Sequence, residues 1–398
     1  MATAVGSPGR APGDTVRPSV LPRTVVLLFA GLSLLTGTLF VFLVPAAWGP
    51  DEGAHFGRAW QVSQGGLGPE RLPDDGPYPV YGGSVPSAAQ ELVARHGGPP
   101  RSTAHGSDPL FVPSEARARV LAAPLDSEPV TAWFPNTAAY SPVPYLPAAL
   151  GARIAVAADA SVGAAWALMR LSQVLAYTAV VAAGLWVLRR TRFLWAGLCV
   201  ALLPTALYQS AVVSADSVTN AVVFAFTALV LRATVLDRSA GPLSRAELAG
   251  LLAAAVVLPL MKPTYVILSL LLLAVPLRRY PPLRRGRPPG GPAATALLVG
   301  TLALPLLAFA AWMALASGTT EAMGLLRDPA ERHTVRPGDQ LAFVVTVDGE
   351  WRCSDRGIWR PWCGCGLRGS CRFGRDRTGW GRLGRRPGSA RPRRPAGR

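Results

Sequence analysis

Apolar residues in this chain gather into long blocks separated by shorter polar stretches. Blocks at 24–46, 163–188, 193–212, 218–236, 247–261, 264–277 and 294–316 hold few charged residues. About 20 helical residues cross a ~30 Å hydrocarbon core, so blocks approaching that length predict membrane-crossing helices. The pattern predicts an all-α integral membrane protein with about seven transmembrane helices. The fifth and sixth blocks are short, with Lys262-Pro263 between them, and read either as two short spans or as a helical hairpin that stops short of a full crossing. Residues 143–158 are also apolar but open on Pro142, Pro144 and Pro147. They predict an interfacial or re-entrant helix.

The polar stretches set the orientation. Arg189, Arg190 and Arg192 follow the second block, Arg238 and Arg245 the fourth, and Arg278, Arg279, Arg284, Arg285 and Arg287 the sixth. Every second loop is basic, as cytoplasmic loops are. The leader 1–23, rich in Pro, Gly and Arg and predicted to be disordered, carries Arg10, Arg17 and Arg23. One register satisfies all four: N-terminus in the cytoplasm, multi-pass in the cell membrane. The first block is too long for a signal peptide's apolar core and reads as an uncleaved span. The 48–141 stretch, with ten acidic residues and six arginines, then becomes a large external loop.

The net charge of +17 points to nucleic acid only until it is located. Residues 352–398 alone carry 14 Arg against 2 Asp. The rest is spread over membrane loops, so no nucleic-acid partner follows; the lipid bilayer is the partner the pattern demands. The tail, 346–398, is Trp, Cys, Gly, Arg and Pro without helical or strand period. That is the composition of a GC-rich gene read out of frame, and it predicts a frameshift near residue 350 or a disordered tail. The polytopic domain is then 24–345. Four of the five cysteines fall in the tail at no zinc spacing. Cys199, inside an apolar block, reads as a small buried hydrophobe.

Chemistry-bearing residues sit where blocks end on the external side. After the first block comes Trp48-Gly49-Pro50-Asp51-Glu52, with His55 and Arg58 following. A helix starting after Pro50 would bring these four side chains together at one-turn and two-turn spacings. Carboxylates at a membrane exit face a low dielectric, which suits a general base or a cation ligand. The plainer reading is a capped interfacial helix with a solvated Arg58. Tyr140 and Tyr145 flank a Pro-rich entry to the 143–158 segment, where tyrosines often only anchor to headgroups. Asp216 and Asn220 are one turn apart near the start of the fourth block, a spacing that lets both face a polar cavity; the alternative is that Ser214 or Asp216 simply caps that helix. Lys262 is the chain's one lysine, set between two apolar runs, where it either snorkels or meets a phosphate.

These motifs, PDEGAHFGRAWQVSQGGL, YSPVPYLPAALG, LLPTALYQSAVVSADSVTNA and MKPTYV, occur in this order. Together they resemble the domain of unknown function 2142 family of bacterial polytopic membrane proteins, over residues 24 to 345. That family in turn looks like the GT-C superfamily of glycosyltransferases, which use a polyprenyl-phosphate sugar donor. The resemblance implies a GT-C-like fold and a cell-envelope enzyme transferring a sugar at the outer face of the membrane. It implies Asp51 or Glu52 as catalytic base, with Asp216 assisting or holding a divalent cation. Lys262 would meet the lipid-linked phosphate, helped by Arg58, and His55, Tyr145 and Asn220 would contact substrate. The alternatives are a non-enzymatic protein of surface-polysaccharide export or assembly, and a truncated, inactive gene product.

Overall fold

The structure, a computed structural model, describes residues 21–73, 79–97, 114–125, 127–189, 191, 193–235, 242–280 and 291–319. In chain order, α1 (Leu21–Leu43) leads through a tight link into α2 (Glu52–Ser63), β1 (Glu70–Leu72) and β2 (Val80–Pro86). Then come α3 (Ser87–His96), α4 (Glu115–Ala122), β3 (Pro129–Trp133) and the single turn α5 (Pro135–Ala138). A 3₁₀ turn, Val143–Tyr145, opens α6 (Leu146–Ala157), followed by α7 (Val162–Leu188), α8 (Phe193–Ala201), α9 (Pro204–Ser210) and α10 (Ala215–Thr234). Last are α11 (Arg245–Met261), a 3₁₀ segment (Pro263–Ala274) and α12 (Pro292–Leu315). Residues 1–20 of the leader and the tail lie outside the described residues, as do most of the loop arginines; residues 21–23, predicted as part of the disordered leader, instead open α1.

Among the described residues four helices are long and apolar enough to cross a membrane: α1, α7, α10 and α12. The block predicted at 193–212 is broken. Pro204 has no N–H to continue a helix, and α8 and α9 meet at a 56° bend, so the count is five if the pair forms one span. The carbonyl of Ala201 loses its helical partner at the break and accepts a 2.9 Å hydrogen bond from the buried Tyr177 hydroxyl instead. The 264–277 block is wound as 3₁₀ helix after Lys262-Pro263. At ~2.0 Å per residue its 12 residues extend about 24 Å.

The interior is organised around α7, which packs on α1, α6 and α10. Small residues make the contacts close. Gly37 of α1 faces Val174, Gly151 of α6 lies against the α7 backbone at Leu168 and Met169, and Gly184 faces Phe224 of α10. Ser33 and Thr178 share a buried hydrogen bond of 2.8 Å between α1 and α7. α10 and α11 run antiparallel and are tied at both ends. Arg232 pairs with Glu247 at one end and Lys262 with Asp216 at the other. Serines cap three of these helices: Ser161 on α7, Ser214 on α10 and Ser244, in a full capping box with Glu247, on α11.

Two expectations are corrected here. The chain is mostly helical but not all-α. Within 48–141, β1, β2 and β3 form an antiparallel sheet in the order β1-β2-β3, with Glu70 opposite Gly82 and Gly82 opposite Trp133. Strands of three to seven residues interrupted by Gly82 and Gly83 leave little alternation to read. Cys199 is exposed on α8 and not buried. On an apolar helix at the rim of a membrane protein, an apolar residue need not point inward.

Candidate functional site

The link from α1 to α2 turns sharply because Ala47 and Asp51 adopt left-handed backbone conformations, with φ of 64° and 50°. Asp tolerates this region better than most residues, at a cost on the order of 1 kcal/mol. Asp51 occupies the N-cap of α2, yet its side chain makes no capping bond and stays exposed. The expected cap is therefore a backbone position only, and its carboxylate is not used by the helix.

Glu52, its neighbour, is fully buried. Arg170 of α7 grips it bidentately, Nε to Oε1 and Nη2 to Oε2, both at 2.7 Å. The backbone N–H groups of Gly49 and Val213 donate to the same carboxylate at 3.0 and 2.9 Å. Arg170 spends its remaining donors on the carbonyls of Val41, Val44 and Pro45, at and just beyond the end of α1. Four accepted hydrogen bonds leave Glu52 no free lone pair for a substrate proton. The structure thus commits it to joining α1, α2, α7 and the 211–214 turn, and the expected base narrows to Asp51.

Arg58 departs from its expected role in the same way. It is buried, and its guanidinium donates to the carbonyls of Tyr140, Gly66, Leu67 and Gly68 and to Gln61 Oε1. It holds the loop after α2 shut and does not face a phosphate. Burial lowers its pKa to about 10. Gln61 passes the connection on to the sheet through Gly82 and Glu70.

The other predicted residues converge. His55 and the Tyr145 hydroxyl share a 2.8 Å hydrogen bond, and the His55 ring lies parallel to Tyr140, 6.2 Å between centroids. Lys262 stands over the opposite partner of this stack, 6.0 Å from the Tyr140 ring centre, and forms an ion pair with Asp216. Asp216 is free to do so because Ser214 caps α10 in its place. Ser141 ties the YSP motif to the carbonyl of Leu260, beside the MKP motif, at 2.5 Å. Burial drives the pKa of His55 down to about 4, against Asp216, Asp51 and Glu52, which favour its protonation; Lys262 opposes protonation too. His55 is therefore a neutral imidazole at pH 7. Burial opposes the charge on Lys262, but the bond to Asp216 outweighs it and the pKa rises.

Asn220 does not join this cluster. Its amide donates to Gln209 of α9 at 2.7 Å, and it lines an apolar cavity with Tyr177 and Phe224. The residue that sequence reading missed is Arg170. A single arginine nine residues into an apolar 27-residue helix was visible as an expensive charge needing a partner. No group of three His, Cys, Asp or Glu side chains suited to a metal ion occurs among the described residues.

Residues 34–351 match the family model described as predicted membrane protein, domain of unknown function 2142. The chain belongs to this family. All of the site, from Asp51 to Lys262, lies inside the match, and the Arg-rich tail from residue 352 lies beyond it. No curated protein and no solved structure gives a significant match. This DUF2142 chain is accordingly a multi-pass membrane protein in which His55, Tyr140, Tyr145, Asp216 and Lys262 meet in one cluster.

Proposed function

We propose that this DUF2142 protein is a GT-C-like membrane glycosyltransferase of the cell envelope, taking a sugar from a polyprenyl-phosphate donor at the outer face of the membrane. The observation that carries this reading is the convergence of four separate motifs: His55, the Tyr140–Tyr145 segment, Asp216 and Lys262 share one cluster. In the proposed step the acceptor hydroxyl gives its proton to the Asp51 carboxylate as its oxygen attacks the anomeric carbon. The bond from that carbon to the phosphate oxygen breaks, and its electron pair leaves with the phosphate. Lys262, released from Asp216, neutralises the leaving group, and Asp216 takes the role of holding Lys262 in place until the donor arrives. Neutral His55 and Tyr145 orient hydroxyls without adding charge.

The reading requires seven crossings and an N-terminus inside. It is supported by the pairing of α10 and α11 at both ends, which runs α11 alongside the whole of α10. The test is transfer of labelled sugar from polyprenyl phosphate by the purified chain. Asp51→Asn is expected to lower the rate by about 10²–10⁴, the usual worth of a general base. It should leave the melting temperature unchanged, since Asp51 makes no capping bond. Transfer at the unaltered rate would remove Asp51 from the mechanism, and no transfer from any such donor by the unmodified chain would remove the reaction.

A further inference from the structure

A cavity of about 420 Å³ lies at the far end of α2, where the sheet, the loop before β3 and the end of α6 meet. Its walls include Trp60 from α2 and Gln64 just after it, Pro86 and Pro129 from the sheet, Ser127, and Asp159 beyond α6. We propose that this cavity binds a saccharide, and that the bound unit belongs to the acceptor.

The lining decides the chemical class. Trp60 is half-buried, and its ring is held nearly parallel to Phe56, 6.3 Å away at 12°. Phe56 in turn stacks on Trp166 of α7 at 4.2 Å. A fixed indole offers the flat apolar surface on which the C–H face of a sugar ring rests. An amide, a hydroxyl and a carboxylate from Gln64, Ser127 and Asp159 supply the donors and acceptors that ring hydroxyls need. No lysine or arginine lines the cavity among the described residues, so it is not built for a phosphate. The mixture of one aromatic face and three hydrogen-bonding side chains fits a neutral polyol.

Asp159 adds a second line of argument. Ala160 N–H bonds to the carbonyl of Ala155, and Asp159 sits between helix and bond with φ of 47°. This is the position at which helices favour glycine, because a Cβ is strained there. The chain keeps a carboxylate on the cavity wall where glycine would stabilise the helix end. Position relative to the candidate site also matters. Trp60 follows Asp51 by nine residues on α2, roughly 13 Å at ~1.5 Å per residue. A short oligosaccharide spans that length, with one end at Trp60 and the reacting hydroxyl near Asp51. That acceptor role rests on the transfer reaction proposed above; saccharide binding does not.

The experiment is saturation-transfer difference NMR on the full chain in a sugar-free amine-oxide detergent, with no donor present. The probes are methyl glycosides of hexoses, N-acetylhexosamines and pentoses. At least one is expected to show saturation. Trp60→Ala should weaken it about tenfold or more, the worth of one stacking contact, whereas Trp60→Phe keeps most of it. Asp159→Gly should weaken binding while raising the melting temperature, a combination that a purely structural residue would not give. That variant also serves where Trp60→Ala fails to fold. The inference is overturned if no glycoside is saturated, if binding is unchanged in Asp159→Gly and Trp60→Ala, or if choline chloride is saturated in place of the glycosides. Because no donor is present, a negative result here says nothing about Asp51, and a failed transfer assay leaves a positive result standing.

Discussion

Asp51 and Glu52 are adjacent in sequence and opposite in circumstance. One is exposed in a left-handed turn; the other is buried against Arg170 with every lone pair occupied. Removing one partner of a buried ion pair leaves an uncompensated charge, which costs about 3–5 kcal/mol. Glu52→Gln is therefore expected to lower the melting temperature steeply, while Asp51→Asn leaves it in place and acts on turnover. Thermal unfolding of the two variants in detergent separates them, and equal losses of stability would contradict the division. His55 gives a pH signature. Its folded pKa of about 4 lies below the value of 6.5 expected of an unfolded chain. The unfolded state binds the proton first, so stability is complete above pH 6.5 and is lost as pH falls toward 4. The loss is at most about 3.5 kcal/mol at ~1.4 kcal/mol per unit. A melting-temperature profile of His55→Gln should be flatter over that window than that of the unmodified chain.

The helices owe their close packing to small residues at contact points. Gly151 is the tightest case between α6 and α7: a Cβ there would stand 2.6 Å from the Leu168 carbonyl oxygen and 2.7 Å from the Met169 Cα. Both obstacles are backbone, so the neighbour cannot rotate away. Gly151→Ala should cost about 1–3 kcal/mol as α6 is pushed off α7, measured as a fall in melting temperature. Substitution at Gly300 of α12, which has open space around it, serves as the control. Element boundaries followed from sequence where chemistry was local. The stop at Lys262-Pro263 was legible because prolines act within one turn, and the cap of α10 was narrowed to Ser214 or Asp216, of which the structure uses Ser214; α1 ends at Leu43, three residues before its apolar block does. The 56° bend between α8 and α9 was not, since Pro204 equally suits the first turn of a new helix and a kink within one.

For the whole chain, the proposed orientation makes a two-sided prediction. Single cysteines at 51, 216 and 262, placed in a background with all five native cysteines replaced by Ala, should label with an impermeant reagent from outside intact cells. A cysteine at 247, at the other end of the α10–α11 pair, should label only after permeabilisation. Labelling of both ends from one side would show that α10 and α11 do not cross. The membrane character and the family were written in the chain, because block length against bilayer thickness and short motifs are local properties. So was the list of candidate residues, all but Arg170. What folding alone settled is which of them meet. Glu52 and Arg170 are 118 residues apart, and Asp216 and Lys262 are 46 apart. Nothing in either local pattern says that one carboxylate is consumed by a buried guanidinium while its neighbour stays open. Charge burial is a property of the packed neighbourhood, and that neighbourhood is drawn from α1, α2, α7 and α10 together.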